Sequence, residues 1–358
     1  MSQLSTKIAV AMSGGVDSSV AALILKQKGY DVFGVFAKFW AREDGEDARE
    51  NICCSKESRD DAKRVCDKLG IPFYTVNLES PFKEKVVDNF LLEYNEGRTP
   101  NPCVRCNQFI KFGELLQKVE KLGASHLATG HYAQVKQTRG QYRLLRGRDK
   151  EKDQSYFLCR LNQDQLSKIM FPVGHLTKSK VRKIAAKNNL PTASKKESQE
   201  VCFIPSGDLQ DFLAQYLDLE PGEIKDIDSK EVLGEHKGLA MYTIGQRKGI
   251  GLAGGPYFAV ELDKKKNVLW VTKNQDHEKL KIDKLVLKNI NWIVDSQDFA
   301  FPIKCTARVR YASTETPVKI FKTDDEYLIE FKKTQWAVTP GQSIVFWKGK
   351  EVLGGGVI

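Results

Sequence analysis

Residues 7–18 constrain the fold of this chain most strongly, because an apolar strand signal runs directly into a glycine turn and a helix start. The run KIAVAM at 7–12 is typical of a buried strand in a parallel sheet. In the following segment, SGGVDS, Gly14 and Gly15 permit a sharp turn and let backbone N–H groups approach a ligand. A helix beginning near Asp17 would add free N–H groups, and the two serines would add hydroxyl donors. The segment therefore predicts a phosphate site in an α/β domain.

The glycines are not followed by Lys-Ser or Lys-Thr, so the loop does not match the Walker pattern. It resembles instead the pyrophosphate loop of ATP pyrophosphatases, written SGGxDS. Those enzymes cleave ATP between the α and β phosphates and leave AMP on a substrate oxygen. A tight turn with incidental serines is the simpler alternative, but it does not account for two glycines, two serines and an aspartate together.

The length and composition of the chain indicate a globular protein of more than one domain. The chain has 358 residues, of which 41% are hydrophobic and 28% charged, and this length predicts two or three domains. Because no apolar run approaches the roughly 20 residues of a membrane span and no secretory signal is visible, we expect a cytoplasmic protein without membrane contact. The net charge of +10 favours a polyanionic partner, although a solvated lysine face would give the same value.

Strand and helix signals alternate through the first part of the chain. They predict a doubly wound, Rossmann-like parallel sheet with helices on both faces. The predicted strands are 7–12, 31–37, 72–77 and 125–129, and a helix is predicted over 55–69. Ligands of such sheets lie beyond the carboxyl ends of the strands, so we expect the 13–18 loop and Gly130-His131 on one rim. The charged segment 41–51 is expected to be a surface loop.

The signals change after residue 205, which sets the expected domain limits. We predict a catalytic ATP-binding domain over 1–205, a small central domain over 206–274 and a C-terminal β-barrel over 275–358, the last two contacting RNA. The barrel strands are expected at 284–288, 303–310, 317–322, 326–332 and 343–348. Gly249, Gly251 and Gly254 formally match GxGxxG, but no helix signal follows them, so a dinucleotide site is rejected.

Cysteine spacing indicates a second centre of chemistry. With no export signal the eight cysteines should be reduced, and close pairs then indicate metal or redox chemistry. Cys103 and Cys106 form a C-x-x-C pair in a proline-rich loop, and Cys202 lies in SQEVCF. These three thiols are an incomplete metal set, or a nucleophile with a resolving partner. Adjacent Cys53-Cys54 are difficult to place around one ion, and we expect Cys66, Cys159 and Cys305 to be small buried hydrophobes.

Eight strings along the chain resemble the bacterial and organellar tRNA-specific 2-thiouridylases. They are AMSGGVDSSVAA, GRTPNPC-x-x-CN, ATGHYA, KDQSYFL, QEVCFI, YTIGQRKG, RVRY and TPGQS. They follow the order of that family and extend over essentially the whole chain. The resemblance implies an ATP-dependent enzyme that adenylates the C2 oxygen of the wobble uridine of tRNA and then replaces the AMP with sulfur.

The resemblance also implies roles for individual residues. ATP, with Mg²⁺, would bind at Ala11, Met12, Ser13, Gly14, Gly15, Val16, Asp17 and Ser18, and near Ala37 and Gly130. Cys202 would carry a persulfide on which Cys106 acts, and many members form a disulfide between these two positions during turnover. The target base would lie against Asn101, Pro102 and Cys103. The remaining tRNA contacts would come from His131, Lys152, Asp153, Gln154, Arg310, Tyr311 and Gln342.

The same resemblance implies partners. These are the anticodon loops of the Glu, Gln and Lys tRNA isoacceptors and a sulfur donor such as a cysteine desulfurase or a sulfur relay protein. Arg105, Lys195 and Lys196 are candidates for lowering the pKa of the reactive thiols, with solvated surface positions as the alternative.

One residue departs from the family pattern, since many members have Asp where this chain has Cys103. Cys103, Cys106 and Cys202 could therefore ligate a [4Fe–4S] cluster with one open iron, instead of relaying a persulfide. Two other functions stay open on sequence grounds. One is a pyrophosphate-loop enzyme that makes a C–N bond on tRNA, and the other is a basic RNA-binding module without catalysis.

Overall fold

The N-terminal part of the chain folds around a five-stranded parallel sheet. The structure, a computed structural model, describes residues 6–41, 55–196, 201–204, 209–295 and 299–358. Seven strands precede residue 171: β1 (Lys7–Ala11), β2 (Asp31–Lys38), β3 (Phe73–Asn77), β4 (His126–Ala128), β5 (Ala133–Thr138), β6 (Gln141–Arg146) and β7 (Ile169–Met170). The sheet has the order β3-β2-β1-β4-β7, so β1 lies at its centre. All four neighbouring pairs are parallel.

Helices cover both faces of this sheet. They are α1 (Val16–Gln27), α2 (Lys56–Leu69), α3 (Glu79–Phe82), α4 (Asp88–Asn95), α5 (Pro102–Arg105), α6 (Leu116–Lys121), α7 (Gln163–Ser167) and α8 (Lys178–Lys187). Ile8 and Val10 pack into one core cluster with α1, α2 and α8. Ala9, between them, packs into a second cluster with α3, α4 and α6. Because alternate residues of a strand point to opposite faces, this division confirms the predicted doubly wound architecture.

The predicted strands and the predicted helix of this region are present within one or two residues of the expected bounds. The helix expected at 55–69 is α2, which begins after the side-chain cap Ser55 and ends at Gly70 in the left-handed conformation (φ 60°). Two stretches of π-helix, Lys83–Val87 and Cys106–Leu115, continue α3 and α5 and had no counterpart in the sequence analysis. The second follows directly from the C-x-x-C pair.

The central part of the chain contains one helix and a four-stranded sheet. The elements are α9 (Leu209–Tyr216), β8 (Gly222–Asp226), β9 (Val232–His236), β10 (Phe258–Asp263) and β11 (Val268–Thr272). The strand order is β10-β11-β8-β9. Between β9 and β10 lies a short 3-10 helix, Leu239–Met241, and the glycines at 249, 251 and 254 follow it. No helix follows these three glycines in the described residues, and the chain continues into β10.

The C-terminal part is a mainly antiparallel sheet. Its strands are β12 (Lys281–Leu287), β13 (Asn291–Trp292), β14 (Ile303–Arg308), β15 (Thr316–Lys322), β16 (Tyr327–Trp336), β17 (Ser343–Lys348) and β18 (Glu351–Val357). The order is β12-β16-β15-β14-β17-β18-β6-β5, with β13 also paired to β18. The β5–β6 hairpin therefore leaves the N-terminal sheet and extends this one, which the sequence analysis did not predict.

No helix within the described ranges is long and apolar enough to cross a membrane. Residues 42–51 of the predicted surface loop and the pair Cys53-Cys54 lie outside the described residues.

Candidate functional site

The SGGVDS loop connects β1 to α1 at the carboxyl edge of the parallel sheet. Gly14 has a positive φ of 69°, and Gly15 precedes α1 with no side-chain cap among the described residues. The hydroxyls of Ser13 and Ser18 lie 3.3 Å apart, and Ser18 also donates to the Gly15 carbonyl at 3.1 Å. A helix N-terminus left without a capping side chain, with two hydroxyls beside it, is suited to bind phosphate oxygens.

The glycines of the loop allow two other segments to approach it closely. A Cβ on Gly14 would lie 2.3 Å from the Ser58 carbonyl of α2. On the other side, a Cβ on Gly130 would lie 2.7 Å from the backbone nitrogen of Ser18. Gly130 follows β4, and Ala37 is near the end of β2, so both belong to the same edge as the loop. The rim expected for a ligand of this sheet is thus assembled as predicted.

Asp17 is held by two side chains from distant parts of the chain. The Lys178 ammonium donates to its two carboxylate oxygens at 2.9 and 2.7 Å, and the Tyr132 hydroxyl donates to Oδ1 at 2.7 Å. Tyr132 in turn exchanges hydrogen bonds with Gln154, whose side chain accepts from the Tyr132 N–H at 3.0 Å. Sequence reasoning missed Lys178 and Tyr132, and neither lies in a motif whose spacing indicates a carboxylate partner.

The C-x-x-C loop begins with a capped helical turn. The Asn101 side chain accepts from the Val104 N–H at 3.2 Å, and Pro102 is the first helical residue. This turn leaves Cys103 exposed and buries Cys106, which is 8% exposed and belongs to the larger core cluster. The two thiols of the motif therefore occupy different environments.

Cys202 packs against the same core cluster that contains Cys106, although the two lie far apart in sequence. Its neighbour Phe203 is buried against Phe82 and Phe90, which places the described residues 201–204 beside the helices that follow β3. Cys106 and Cys202 therefore contact the same extended core cluster, which also contains Cys159. Cys103, by contrast, is exposed.

The three cysteines do not fit a metal cluster as they are arranged. Within the described residues, which include all three, no group of three His, Cys, Asp or Glu side chains is gathered closely enough to hold a metal ion. A [4Fe–4S] cluster with one open iron requires three convergent thiolates.

The other described cysteines match their expected structural role in part. Cys66 and Cys159 are fully buried, and burial raises the pKa of each thiol to about 12. Cys305 is half-buried, and burial likewise raises its pKa to about 12. All three thiols are therefore protonated and unreactive near neutral pH.

The loop that carries Asn101 is attached to both other parts of the chain. The Thr99 carbonyl accepts from the Gln342 side chain at 2.8 Å, and the Thr99 N–H donates to the Pro340 carbonyl at 2.8 Å. The Thr99 hydroxyl lies 2.9 Å from that of Thr243, in the YTIGQRKG segment. Three of the resembling strings, GRTPNPC, YTIGQRKG and TPGQS, therefore meet at Thr99.

Several residues expected to contact tRNA make internal hydrogen bonds. The Asp153 carboxylate accepts from the N–H groups of Gly147 and Ser155 at 2.9 and 3.1 Å. The Arg310 guanidinium donates to the carbonyls of Trp336 and Ala337 at 3.1 and 2.8 Å. Lys152 is half-buried beside Asp153. The predicted tRNA contacts of these residues stay predictions.

Aromatic and histidine side chains accompany this set. Tyr311 is 37% exposed and packs on Phe157 with ring centroids 4.5 Å apart. His131 packs against both Phe112 and Phe171, and its Nδ1 is 2.7 Å from the Thr129 hydroxyl. Tyr311 therefore presents a partly exposed aromatic face near Asp153, whose carbonyl lies 3.4 Å from its hydroxyl.

Two of the cations predicted to lower the pKa of the reactive thiols, Arg105 and Lys195, make contacts with other groups. The Arg105 side chain donates to the Lys85 carbonyl and stacks on Phe109, with 4.9 Å from guanidinium carbon to ring centroid. Burial, and then the neighbouring Arg160, lower the pKa of Arg105. Lys195 forms an ion pair with the buried Asp61 at 2.5 Å. These contacts fit structural roles for both cations.

Comparison with known proteins covers the chain from end to end. The family model described as the tRNA methyl transferase HUP domain matches residues 6–206. Models described as the tRNA methyl transferase PRC-barrel domain and the aminomethyltransferase beta-barrel domain match residues 210–273 and 282–358. The tRNA-specific 2-thiouridylase MnmA of Alkaliphilus oremlandii is 48% identical over 358 residues, which cover 99% of this chain and 97% of that protein. The protein of the same name from Bacillus subtilis is 48% identical over 357 residues, covering 99% and 95%.

The chain belongs to the tRNA-specific 2-thiouridylases. The family resemblance, the fold class and the expectation of a tRNA-modifying enzyme are thereby confirmed. The domain limits at 205 and 274 stay predictions, and the β5–β6 hairpin, which lies within the first of those segments, belongs in space to the C-terminal sheet.

Proposed function

We propose that this 2-thiouridylase adenylates the C2 oxygen of the wobble uridine (U34) of tRNA with ATP and then replaces AMP with sulfur relayed by Cys202 and Cys106. The observation that carries the proposal is the uncapped SGGVDS loop at the start of α1, in a chain that belongs to the 2-thiouridylases. An adenylating site alone would serve many reactions. A C–N bond-forming enzyme would not need Cys106 or Cys202, so these thiols favour sulfur transfer.

Residues of the loop are suited to bind the phosphates of ATP. The N–H groups at the start of α1 and the hydroxyls of Ser13 and Ser18 face the turn, and Ala37 and Gly130 lie on the same rim. The proposed ATP set is Ala11, Met12, Ser13, Gly14, Gly15, Val16, Asp17, Ser18, Ala37 and Gly130. The Asp17 carboxylate suits a Mg²⁺ ion, which when bound neutralises charge on the phosphates.

Adenylation solves the problem of the leaving group. The carbonyl oxygen of uracil is a very poor leaving group, whereas AMP is a good one. The C2 oxygen attacks the α-phosphorus, the bond to the β-phosphate breaks, and pyrophosphate leaves. The N3 proton of the base is lost in this step. Donors that are already oriented toward the departing pyrophosphate lower the barrier without further rearrangement.

Sulfur transfer then follows in two steps. A sulfur-donor protein converts Cys202 to a persulfide, whose terminal sulfur attacks C2 while the C–O bond to AMP breaks. The Cys106 thiolate next attacks Sγ of Cys202. The S–S bond to the transferred sulfur breaks, its electron pair forms the thiocarbonyl, and N3 regains a proton. The products are 2-thiouridine, AMP and a Cys106–Cys202 disulfide, which a dithiol reductant must reopen before the next turnover.

Binding of the target base involves the turn at Asn101. The wobble uridine stacks inside the anticodon loop and must be extruded, at a cost of a few kcal/mol. We assign Asn101, Pro102 and Cys103 to the extruded base. The further tRNA contacts that we propose are His131, Lys152, Asp153, Gln154, Arg310, Tyr311 and Gln342. We propose the Glu, Gln and Lys isoacceptors as the substrates.

The persulfide route is favoured over a cluster by the positions of the thiols. Cys103 is exposed while Cys106 is buried, and no three-ligand group forms in the described residues. Cys103→Asp should therefore retain thiolation, because it introduces the residue that many family members have at this position. A cluster would lose affinity with that change, since carboxylate is a poorer ligand for iron–sulfur clusters than thiolate.

The test separates adenylation from sulfur transfer. Purified protein is incubated with ATP, unmodified tRNA and a persulfide donor, while pyrophosphate release and tRNA-bound sulfur are measured. We expect Cys106→Ser and Cys202→Ser to release pyrophosphate but leave tRNA unthiolated, and Asp17→Ala to abolish pyrophosphate release while binding tRNA within a few-fold. Cys159→Ser is the matched cysteine control. Normal pyrophosphate release by Asp17→Ala, or full thiolation without Cys202, would refute the assignment.

A further inference from the structure

Lys178 is unusual among the described residues of α8 because it puts a positive charge on the buried side of the helix. The buried residues of α8 are Lys178, Val181 and Ala185, which follow one another at helical spacing. Its side chain is only 11% exposed. A core-facing lysine breaks the local pattern of an amphipathic helix, and such departures are expected at functional positions.

The position of Lys178 along α8 is also electrostatically unfavourable. Lys178 is the first residue of the helix, after the cap Thr177. Cations are stabilised at helix C-termini and disfavoured at N-termini, where the free N–H groups carry positive partial charge. The Lys178 N–H donates to the Asp149 carboxylate at 2.8 Å, and its ammonium contacts both oxygens of Asp17. The location is therefore explained by the contact with Asp17 rather than by the stability of α8.

The contact fixes Asp17 in a defined orientation. The Asp17 carboxylate is 28% exposed, so one side is open while Lys178 and Tyr132 hold the other. Tyr132 is 2% exposed, and its main chain is joined to Gln154 by two hydrogen bonds. Two donors, one from the loop before β5 and one from α8, thus determine where the carboxylate lies relative to the phosphate loop. Without them, a side chain in the first turn of α1 would sample several rotamers.

We infer that Lys178 is a positioning residue of the ATP site, which acts by holding the Asp17 carboxylate in the orientation that binds magnesium and nucleotide. The inference rests on the proposed function of the SGGVDS loop. Lys178 would hold the Asp17 carboxylate directed to the loop before ATP arrives. Its loss should therefore weaken nucleotide binding without changing affinity for tRNA.

The experiment compares Lys178→Met with Lys180→Met by titration calorimetry with ATP and Mg²⁺. Methionine retains most of the length and apolar packing of Lys178 but removes the ammonium. Lys180 is an exposed residue of the same helix, so its substitution changes the net charge equally. We expect Lys178→Met to raise the Kd for ATP at least about tenfold, the effect of losing a hydrogen bond to a charged group, and Lys180→Met to leave it unchanged. The Kd for tRNA should be the same in both.

Further variants distinguish positioning from general stabilisation. Lys178→Arg keeps the cation and should recover part of the ATP affinity. Tyr132→Phe removes the second donor and should give a smaller loss, non-additive with Lys178→Met because both donors meet at Asp17. If Lys178→Met does not fold, the same two affinities are measured for Tyr132→Phe and Lys178→Arg. Each variant should then bind ATP more weakly than the wild type and bind tRNA equally well.

Two failures are separable. Wild-type protein that binds no ATP would overturn the proposed function itself. Wild-type protein that binds ATP, with Lys178→Met binding it equally or losing ATP and tRNA affinity in parallel, would overturn only the positioning role.

Discussion

His131 illustrates how the surroundings of a single residue set its chemistry. Its ring packs against two phenylalanines, and its Nδ1 shares one hydrogen bond with the Thr129 hydroxyl. Burial, and then the charge of Lys111, hold the pKa of His131 well below its ordinary value. The imidazole is therefore neutral at physiological pH, so its proposed contact with tRNA is a hydrogen bond or a stacking contact rather than an ion pair with phosphate.

The depressed pKa of His131 predicts a loss of stability in acid. Above about pH 6.5 the histidine is neutral in both folded and unfolded chains and contributes no pH dependence. Below that value the unfolded chain takes up a proton that the folded protein refuses, so the free energy of unfolding falls by up to about 1.4 kcal/mol per pH unit for this residue. His131→Gln should therefore lose less stability between pH 7.5 and 5.5 than the wild type.

Urea unfolding at the two pH values measures this difference. The other histidines with lowered pKa values, His126, His175 and His236, are present in both proteins and cancel in the comparison. Equal losses for the variant and the wild type would show that folding does not lower the pKa of His131.

At the scale of elements, the sequence predicted those whose residues follow a simple pattern. Apolar runs predicted the strands β1, β2 and β4, and a serine cap with a C-terminal glycine predicted α2. The β5–β6 hairpin was missed because its residues are largely polar, and its Arg139-Gly140 turn, with φ values of 52° and 78°, is not a common hairpin pair.

Strand β18 was missed for a different reason, because it contains three consecutive glycines. Glycine normally weakens a strand, so the run at 354–356 reads as a loop. In the structure each glycine admits a close neighbour. A Cβ on Gly354 would lie 2.1 Å from the Asn291 carbonyl oxygen, and one on Gly355 would lie 2.7 Å from Cys159 Sγ. Tertiary contact, rather than propensity, selects glycine here.

Two glycines with positive φ, Gly14 in the β1–α1 loop and Gly29 between α1 and β2, should respond differently to substitution. Gly14 and Gly29 have φ values of 69° and 82°, so alanine at either position costs about 1 to 2 kcal/mol of backbone strain. Only Gly14 also meets another backbone, at 2.3 Å, whereas nothing lies within 4 Å of a Cβ on Gly29. We expect Gly14→Ala to displace α2 from the loop and to abolish ATP binding. Gly29→Ala should lower only stability.

Calorimetric titration with ATP measures the nucleotide affinity of both variants, and melting curves measure their stability. Equal ATP affinity of Gly14→Ala and Gly29→Ala would mean that the approach of Ser58 does not shape the nucleotide site.

At the scale of the whole molecule, the three parts of the chain meet at the cysteine loop. Thr99 bonds to the central segment through Thr243 and to the C-terminal part through Gln342 and Pro340. Motifs could name the loop residues and their order, because each lies in one recognisable string. They could not reveal this junction, or the Lys178–Asp17 pair, because such contacts join residues far apart in sequence that no local pattern relates.

The β10–β11 turn adds charge beside this junction. Lys264, Lys265 and Lys266 are consecutive and exposed, and a Cβ on Gly97 would lie 3.8 Å from the Lys264 side chain. Lys264 pairs with Glu96 at 3.1 Å, which ties the turn to the loop. Together with a net charge of +10, this turn suits a phosphate backbone that enters beside the target base.

We therefore predict that the affinity for tRNA falls steeply with salt and that Lys265 contributes locally to this dependence. Each phosphate contact releases counterions and adds about 0.7 to 0.9 to the slope of log affinity against log salt concentration. Lys265→Gln should weaken tRNA binding and lower the magnitude of that slope by about 0.7 to 0.9, the value for one phosphate contact. Lys121→Gln is the control because it removes the same charge elsewhere. Lys121 is exposed at the end of α6, which leads into the start of β4 and so lies at the amino edge of the parallel sheet. The slope of Lys121→Gln should match that of the wild type. Filter binding of unmodified tRNA over a range of potassium chloride concentrations measures all three slopes. A common decrease for both variants would mean that only the net charge matters, and an affinity independent of salt would exclude a complex driven by backbone contacts.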